Sequence, residues 1–511
     1  MLPDPASLAG RPIIIGAGLA GLMAALELAP RPVVILTKSP LGVDCASAWS
    51  QGGLAAAVSA EDSVDLHLAD TIAAGDGLVD AAAARRIIEM GPAIVERLVA
   101  LGARFGRKPD GGFKLKLEAA HSRHRVVNAG GDGTGAEIMR AVVAAVRRTP
   151  SIAVLEGVTA LDLLAGSAIE GVAVAAGGET TILPTRAVIL ATGGLGGLWR
   201  HSTNPPGALG QGLALAARVG VELIDLEFMQ FHPTAIDVGR DPMPLASEAI
   251  RGDGATLIDE AGIRFMAGQG RAELEPRDVV ARAVWKRLGE GHRVFLDSRA
   301  ALGAEFPKRF PGAAEACRLA GIDPVTAPIP IRPAAHYHMG GVAVDGAGRS
   351  GLDGLWVVGE TAATGLHGAN RLASNSMLEA AVTGVLAARD LAGRELSAAP
   401  AATGTAAQPT PDPGGVARVR AAMSEGVGVL RDEAGLDRAI ATLLPIARGS
   451  TAASAPATAG LMIAVAARGR RESRGGQYRT DYPDHDPAQA KRRSLTLGQA
   501  LDLAHSFGAA S

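Results

Sequence analysis

Cysteine is nearly absent: a chain of 511 residues has two, Cys45 and Cys317. Two thiols cannot ligate a structural zinc or an iron–sulfur cluster and build no disulfide framework, so no metal site is expected, and a reducing cytoplasm is the expected compartment. Simple packing accounts for both. A charge excess is lacking too, with 50 Lys plus Arg against 52 Asp plus Glu. Without a net field, nothing draws the chain to nucleic acid or to an anionic membrane, and any anion site must be local. No stretch of ~18 or more residues escapes polar interruption, so no membrane span is expected. The opening MLPDPASLAG lacks the basic start and apolar run of a signal peptide.

What remains is a long chain, above the ~250–300 residues at which a single core stops growing, so two or three domains are expected. From Arg11 the pattern runs PIIIGAGLAGLMAALELA and then RPVVILTKS: a short strand, a glycine turn, an alanine-rich helix and a second buried strand. Later apolar runs ending at glycines, AVILATGG at 187–194 and GLWVVGE at 354–360, read as further buried parallel strands of the same sheet. The sheet is therefore interrupted. Residues 228–331 are more charged and less alanine-rich and read as an inserted second domain, with substrate at the junction. The expected division is a nucleotide-binding domain from 1–227 and 332–395, the insertion 228–331, a Pro/Ala/Thr-rich linker at 396–415, and a helical domain at 416–511.

The motif Gly16-Ala17-Gly18-Leu19-Ala20-Gly21 has GxGxxG spacing between a strand and a helix start. Glycines there let the backbone approach a pyrophosphate that the helix N-terminus attracts. Alone it also fits a plain tight turn. The acidic residue that normally ends the second strand to bind ribose is missing, since that strand ends Thr37-Lys38-Ser39.

Several segments recur together: WSQGG (49–53), ATGG (191–194), QFHPT (230–234), EAIRGDG (248–254), PRDVVARA (276–283), AAHYHMGG (334–341), VVGE (357–360) and HGANRLASNSM (367–377). On these the chain resembles the flavoprotein family of succinate dehydrogenase, fumarate reductase and L-aspartate oxidase, from about Ile13 to Pro483. The resemblance implies an α/β fold: a Rossmann-like FAD-binding domain with an inserted α+β capping domain and a C-terminal helical domain. It implies FAD held by Gly16, Gly18, Ala20 and Gly21, by Lys38 and Ser39, by Gln51, Gly52 and Gly53, by Thr192 and Gly193, by Glu360, and by Ser376 with Met377. Many members also lack the ribose-binding acid. Members in membrane complexes attach flavin through a His five residues before Gln-Gly-Gly; Ala46 stands there, so the flavin is expected to be non-covalent. Gln211 stands where Asp is usual, which touches one cofactor-side hydrogen bond.

A dicarboxylate entering a closed site needs fixed donors in exchange for water. Arg371 can grip a carboxylate with two N–H groups, and His232 and His336 can donate from a ring nitrogen. A lone arginine or histidine also serves as a structural residue, but all three fall on family substrate positions, as does the hydroxyl of Ser247. Arg277 matches the arginine that the family uses to pass a proton to or from substrate carbon. Because arginine stays protonated, Asp278 or Glu248 is expected to share that proton.

Glu118 separates the readings. LEAAHSRHR (117–125) resembles the E-x-x-H-S segment of aspartate oxidases, where a carboxylate would bind the substrate ammonium; the alternative is a pair with Arg123 or Arg125. RESRGGQYRTDYPD (471–484) resembles the aspartate oxidase ending, with Gln477 in place of His; it could line the site rim or be a solvated face. The implied reaction is oxidation of L-aspartate to iminoaspartate, with electrons passing to oxygen or fumarate. The product would feed quinolinate synthase, a metabolic partner, in NAD synthesis. The alternatives are a fumarate reductase or succinate dehydrogenase subunit and a flavin-binding protein without catalysis.

Overall fold

The computed structural model describes residues 5–399 and 406–509, so residues 400–405 of the 396–415 linker lie outside the described residues. The β-branched run Ile13–Ile15 is a strand buried at every position, followed by the helix Leu19–Leu28 and the strand Val33–Thr37. Gly16 makes the turn between them at φ +113, and a Cβ there would stand 2.1 Å from the carbonyl oxygen of Ala191. No other residue fits that approach.

These strands are the middle of a five-stranded parallel sheet in the order Leu355–Val357, Val188–Leu190, Ile13–Ile15, Val33–Thr37 and Ile152–Glu156. The sheet is discontinuous in sequence, and the loops at its carboxyl ends converge where open α/β sheets bind ligands. The helix Asn375–Ala392 packs on the helix Leu19–Leu28 closely enough that a Cβ on Gly384 would meet the Ala20 carbonyl at 2.3 Å.

The inserted segment forms its own antiparallel sheet, in the order Met229–Ile236, Ile329–His338, Val294–Asp297 and Thr256–Asp259, backed by the helix Arg277–Gly289. Its core gathers Ile236, Leu257, Val280, Leu296, Phe306, Phe310 and Cys317. Met229–Ile236 pairs with Ile329–His338 through two register irregularities, and each of these strands carries one of the candidate histidines. The helices Pro413–Gly426, Glu433–Ala447 and Ser454–Gly469 pack together, with Asp412 and Asp432 capping the first two by accepting from Gly415 and Gly435 N–H groups. The architecture is α/β: a Rossmann-like sheet, an inserted α+β unit and a C-terminal helical unit.

The charges of residues 471–484 are in large part neither a solvated face nor a rim. Arg470, Glu472, Arg474, Gln477 and Arg479 are buried. Glu472 joins Arg470 to Arg474, and Arg470 also pairs with Glu227. Arg474 donates to the Asp76 carbonyl and the Gly476 N–H to the Ala369 carbonyl, two residues from Arg371. Among the described residues no helix is long and apolar enough to cross a membrane, and no cluster of His, Cys, Asp or Glu could hold a metal ion.

Candidate active site

A cavity of about 690 Å³ runs from the carboxyl ends of the parallel sheet to the inserted segment, within the size range of ligand sites. One end is built from Gly16, Gly18 and Ala20, then Lys38 and Ser39, Gln51 and Gly52, Thr192 and Gly193, Glu360, Ser376 and Met377. Gly21 and Gly53 lie behind this wall. A Cβ on Gly21 would stand 2.2 Å from the Gly16 carbonyl and one on Gly53 2.3 Å from the Val127 carbonyl, so both permit close backbone packing and neither lines the cavity. The helix Leu19–Leu28 starts at the cavity wall with Gly18 as its cap residue, and its Leu19 N–H donates to the Ser47 hydroxyl at 3.2 Å; the positive end of the helix suits an anion.

Two residues at this end escaped the sequence reading. Asp44, on the loop after the second strand, lines the cavity and accepts the Ser39 hydroxyl at 3.1 Å, so an acid reaches this end of the cavity although the strand does not end in one. Cys45 also lines the cavity; burial pushes its thiol up. Glu360 is pushed up to about 8 by burial and accepts the His338 N–H at 2.9 Å.

The other end is cationic. Arg277, the first residue of its helix, donates to Glu248 at 2.8 Å and to Gln230 at 3.0 Å. Arg251 donates to the second Glu248 oxygen at 2.9 Å. Of the two carboxylates expected beside Arg277, Glu248 is therefore the partner. Asp278 is no cavity residue: it pairs with Arg282 at 2.8 Å and accepts from Asn370 at 3.2 Å, since the next residue of a helix projects about 100° round the axis from Arg277. Gln230, also missed, links the two arginine-bearing segments. It accepts from Arg277 and donates at 2.9 Å to Asn370 and to the Arg371 carbonyl.

Arg371 stacks over Tyr337, its Cζ 4.7 Å from the ring centre, and its buried Nε has no hydrogen-bond partner among the described residues. Burial and the nearby Arg277 bring it down to about 10, which leaves it protonated at neutral pH. His232 and His336 meet edge to face with ring centres 5.0 Å apart. Both are held well below their ordinary value by burial and by the arginines, so both are neutral. The Thr234 N–H donates to His232 Nδ1, which places the ring proton on Nε2, and Nε2 is buried without a partner among the described residues. His336 Nδ1 bonds the Thr203 hydroxyl at 2.8 Å. Ser247 caps a short helix and faces the cavity.

Glu118 lies in this wall as the second buried carboxyl. Its expected alternative partners are engaged elsewhere: Arg125 pairs with Asp62 and Asp70, and Arg123 donates to the Ser122 carbonyl. Glu118 instead accepts the Ser374 hydroxyl at 2.7 Å. Burial and the neighbouring Glu248 push it up, against the pull of Arg277.

A glycine-lined groove at a helix start, an unpartnered buried Gln51 Oε1, and orphaned donors on His232 and Arg371 fit a dinucleotide at one end and a small anion at the other.

The family described as FAD binding domain matches residues 11–377, and the one described as fumarate reductase flavoprotein C-term matches 455–505. An L-aspartate oxidase of Mesorhizobium japonicum is 52% identical over 509 residues, covering 99% of this chain and 98% of that protein. One of Agrobacterium fabrum is 52% identical over 98% of this chain and 96% of that protein. Among solved structures, an E. coli quinol fumarate reductase FrdA variant has a TM-score of 0.85 at 28% identity, covering 94% of this chain and 93% of that one. With FAD as its cofactor, the chain belongs to the flavoprotein family that contains the L-aspartate oxidases and the succinate dehydrogenase and fumarate reductase flavoproteins.

Proposed function

We infer that this chain is an FAD-dependent L-aspartate oxidase, which converts L-aspartate to iminoaspartate for NAD synthesis. The observation that carries the reading is a buried carboxyl group, Glu118, at the cationic end of the cavity, which accepts from the Ser374 hydroxyl where the neighbouring Glu248 is held by two arginines. A site for succinate alone has no use for it; a site for an amino-dicarboxylate does.

FAD, when bound, supplies the hydride acceptor and the route of electrons to oxygen, giving hydrogen peroxide, or to fumarate, giving succinate. Gly16, Gly18, Ala20, Lys38, Ser39, Gln51, Gly52, Thr192, Gly193, Glu360, Ser376 and Met377 would hold it, with Gly21 and Gly53 shaping the wall behind. Ala46 lines the cavity and offers no nucleophile, in keeping with non-covalent attachment.

Arg371, His232, His336 and Ser247 would bind the two substrate carboxylates, and Glu118 the ammonium. The neutral histidines donate without adding charge, so the arginines carry the electrostatic attraction. Arg277 would hold a proton at the reacting carbon, with Glu248 as the carboxylate that shares it. Burial pushes Glu248 up, but Arg277 and Arg251 outweigh this and hold it below the usual range, so it stays ionised as an acceptor. Water leaves the cavity as substrate enters, which strengthens each of these interactions. Quinolinate synthase would consume the product, in the cytoplasm.

Anaerobic mixing of the yellow protein with L-aspartate should bleach the flavin, and admitting air should restore it with formation of peroxide. Bleaching by succinate but not by L-aspartate would move the chain to the succinate-oxidising branch.

A further inference from the structure

We propose that Ser374 is the positioning residue that makes Glu118 an amine reader: its hydroxyl fixes one carboxylate oxygen and leaves the other to face the substrate's ammonium. The proposal rests on the L-aspartate reading above.

Ser374 immediately precedes the helix Asn375–Ala392, where a serine ordinarily caps the first turn by accepting a backbone N–H; it makes no such bond. Its backbone is left-handed, φ 62 and ψ 0, a region that non-glycine residues occupy at a cost. The hydroxyl turns away from the helix and donates to Glu118 Oε2 at 2.7 Å. The other oxygen, Oε1, fills space left by a glycine of the cofactor loop: a Cβ on Gly52 would stand 2.7 Å from Glu118 Oε1 and 3.0 Å from Ser374 Oγ. The same point is thus shared by the cofactor wall, the carboxylate and the serine.

The neighbouring bonds show that the juxtaposition is built rather than incidental. His121 Nε2 bonds the Ala373 carbonyl at 3.0 Å, and His67 Nε2 bonds Asn375 Oδ1 at 2.7 Å. Asn375 spends its amide on Thr71, so its oxygen accepts and His67 donates. Three consecutive residues, Ala373, Ser374 and Asn375, are therefore tied to the Glu118 loop and the helix beside it. Ala120, between Glu118 and His121, is also left-handed, at φ 67. Burial brings His121 down to about 4 and His67 to about 3, so these ties keep one protonation state across neutral pH.

The charged groups facing Glu118 are Glu248, which disfavours its ionised form, Arg277 and Arg371, which favour it, and Lys116 on the adjoining strand. The Ser374 hydroxyl adds to the favourable side, because a donated hydrogen bond is stronger to a carboxylate than to the neutral acid. An ionised, fixed Glu118 attracts an ammonium; a protonated, rotating one does not.

The test uses the FAD-loaded full chain as wild type, Ser374→Ala, Ser374→Gly, Glu118→Gln and the double variant Ser374→Ala/Glu118→Gln. The readouts are the ratio of L-aspartate oxidation to fumarate reduction by a reduced viologen dye, the pH dependence of kcat/KM for L-aspartate, and thermal stabilisation by succinate, which lacks the amine. Ser374→Ala should lower the ratio about tenfold, the order expected for one hydrogen bond to a charged group. It should move the acid limb of the L-aspartate profile to higher pH, leave stabilisation by succinate in place, and add nothing to Glu118→Gln. Ser374→Gly should behave as Ser374→Ala, since glycine relaxes the left-handed backbone yet lacks the hydroxyl. Equal losses with both substrates, recovery in Ser374→Gly, or additive losses in the double variant would each overturn the proposal. A silent Ser374→Ala beside a strong Glu118→Gln effect defeats it alone, whereas a silent Glu118→Gln defeats the amine reading on which it rests.

Discussion

Two of the carboxyl groups that line the cavity, Glu248 and Glu118, are equally deep and pushed in opposite directions. Glu248 comes from the inserted segment and is gripped by two guanidinium groups at 2.8 and 2.9 Å; Glu118 comes from the loop 117–125 and is held by one hydroxyl. Burial acts on both, so depth does not decide their charge; the partners do. The Glu248 carboxyl is held below the usual range and paired with Arg277 and Arg251, which suits chemistry that any dicarboxylate requires. Glu118 is bonded by a neutral hydroxyl and feels its cations only through space, so a direct ionic partner is a place that an incoming ammonium can take.

This contrast can be broken from either side. The largest effect is expected on the Glu248 wall: Arg277→Gln should lower both L-aspartate oxidation and fumarate reduction by about 10²–10⁴-fold, the usual span for a proton-transfer group. Stopped-flow flavin bleaching and a viologen-linked fumarate assay measure the two, and a loss confined to one substrate would count against a shared proton role. Next comes Glu118→Gln, which should lower kcat/KM for L-aspartate by about 100-fold while fumarate reduction changes only a few-fold, as for loss of one member of a buried charge pair.

The pH profile sharpens the same contrast. Glu118 must be ionised to bind an ammonium, and its carboxyl is pushed above the ordinary range, so activity with L-aspartate should fall with decreasing pH earlier than an unperturbed glutamate would require. Fumarate reduction, which depends on the depressed Glu248, should lack that limb. Coincident acid limbs would mean that one group governs both. The smallest effect is expected from Tyr337→Phe. It keeps the ring under Arg371 but removes the hydroxyl that donates to Glu379, so KM should rise about 2–5-fold for both substrates, the order of one neutral hydrogen bond.

The cofactor end was legible because its demands are local. A strand, a glycine turn and a helix fall within residues 13–28, and only glycine satisfies the approach of Gly16 to Ala191. The substrate side chains were legible through their segments. Their arrangement was not, since His232 and His336 meet only when strands some hundred residues apart pair in an irregular register. Asp44 escaped because a loop, not a strand end, brings it to the cavity, and Gln230 because an amide carries no chemical signature of its own. The charges of residues 471–484 misled for the opposite reason. Charge in sequence suggests a wet surface, but Glu227 and Glu472 neutralise Arg470 and Arg474 inside the molecule, and residues 474–478 brace both Ala369 and Arg282 from behind.

The discontinuous parallel sheet sets a timetable. The cofactor groove needs Gly16 from the beginning of the chain, Thr192 and Gly193 from its middle, and Glu360, Ser376 and Met377 from well past two-thirds of its length. During synthesis, the early strands leave the ribosome long before the strand Leu355–Val357 that completes the sheet edge exists. A nascent or prematurely ended chain therefore has no groove in which to retain flavin, and a stably yellow chain is one whose translation has passed the segment that carries Arg371.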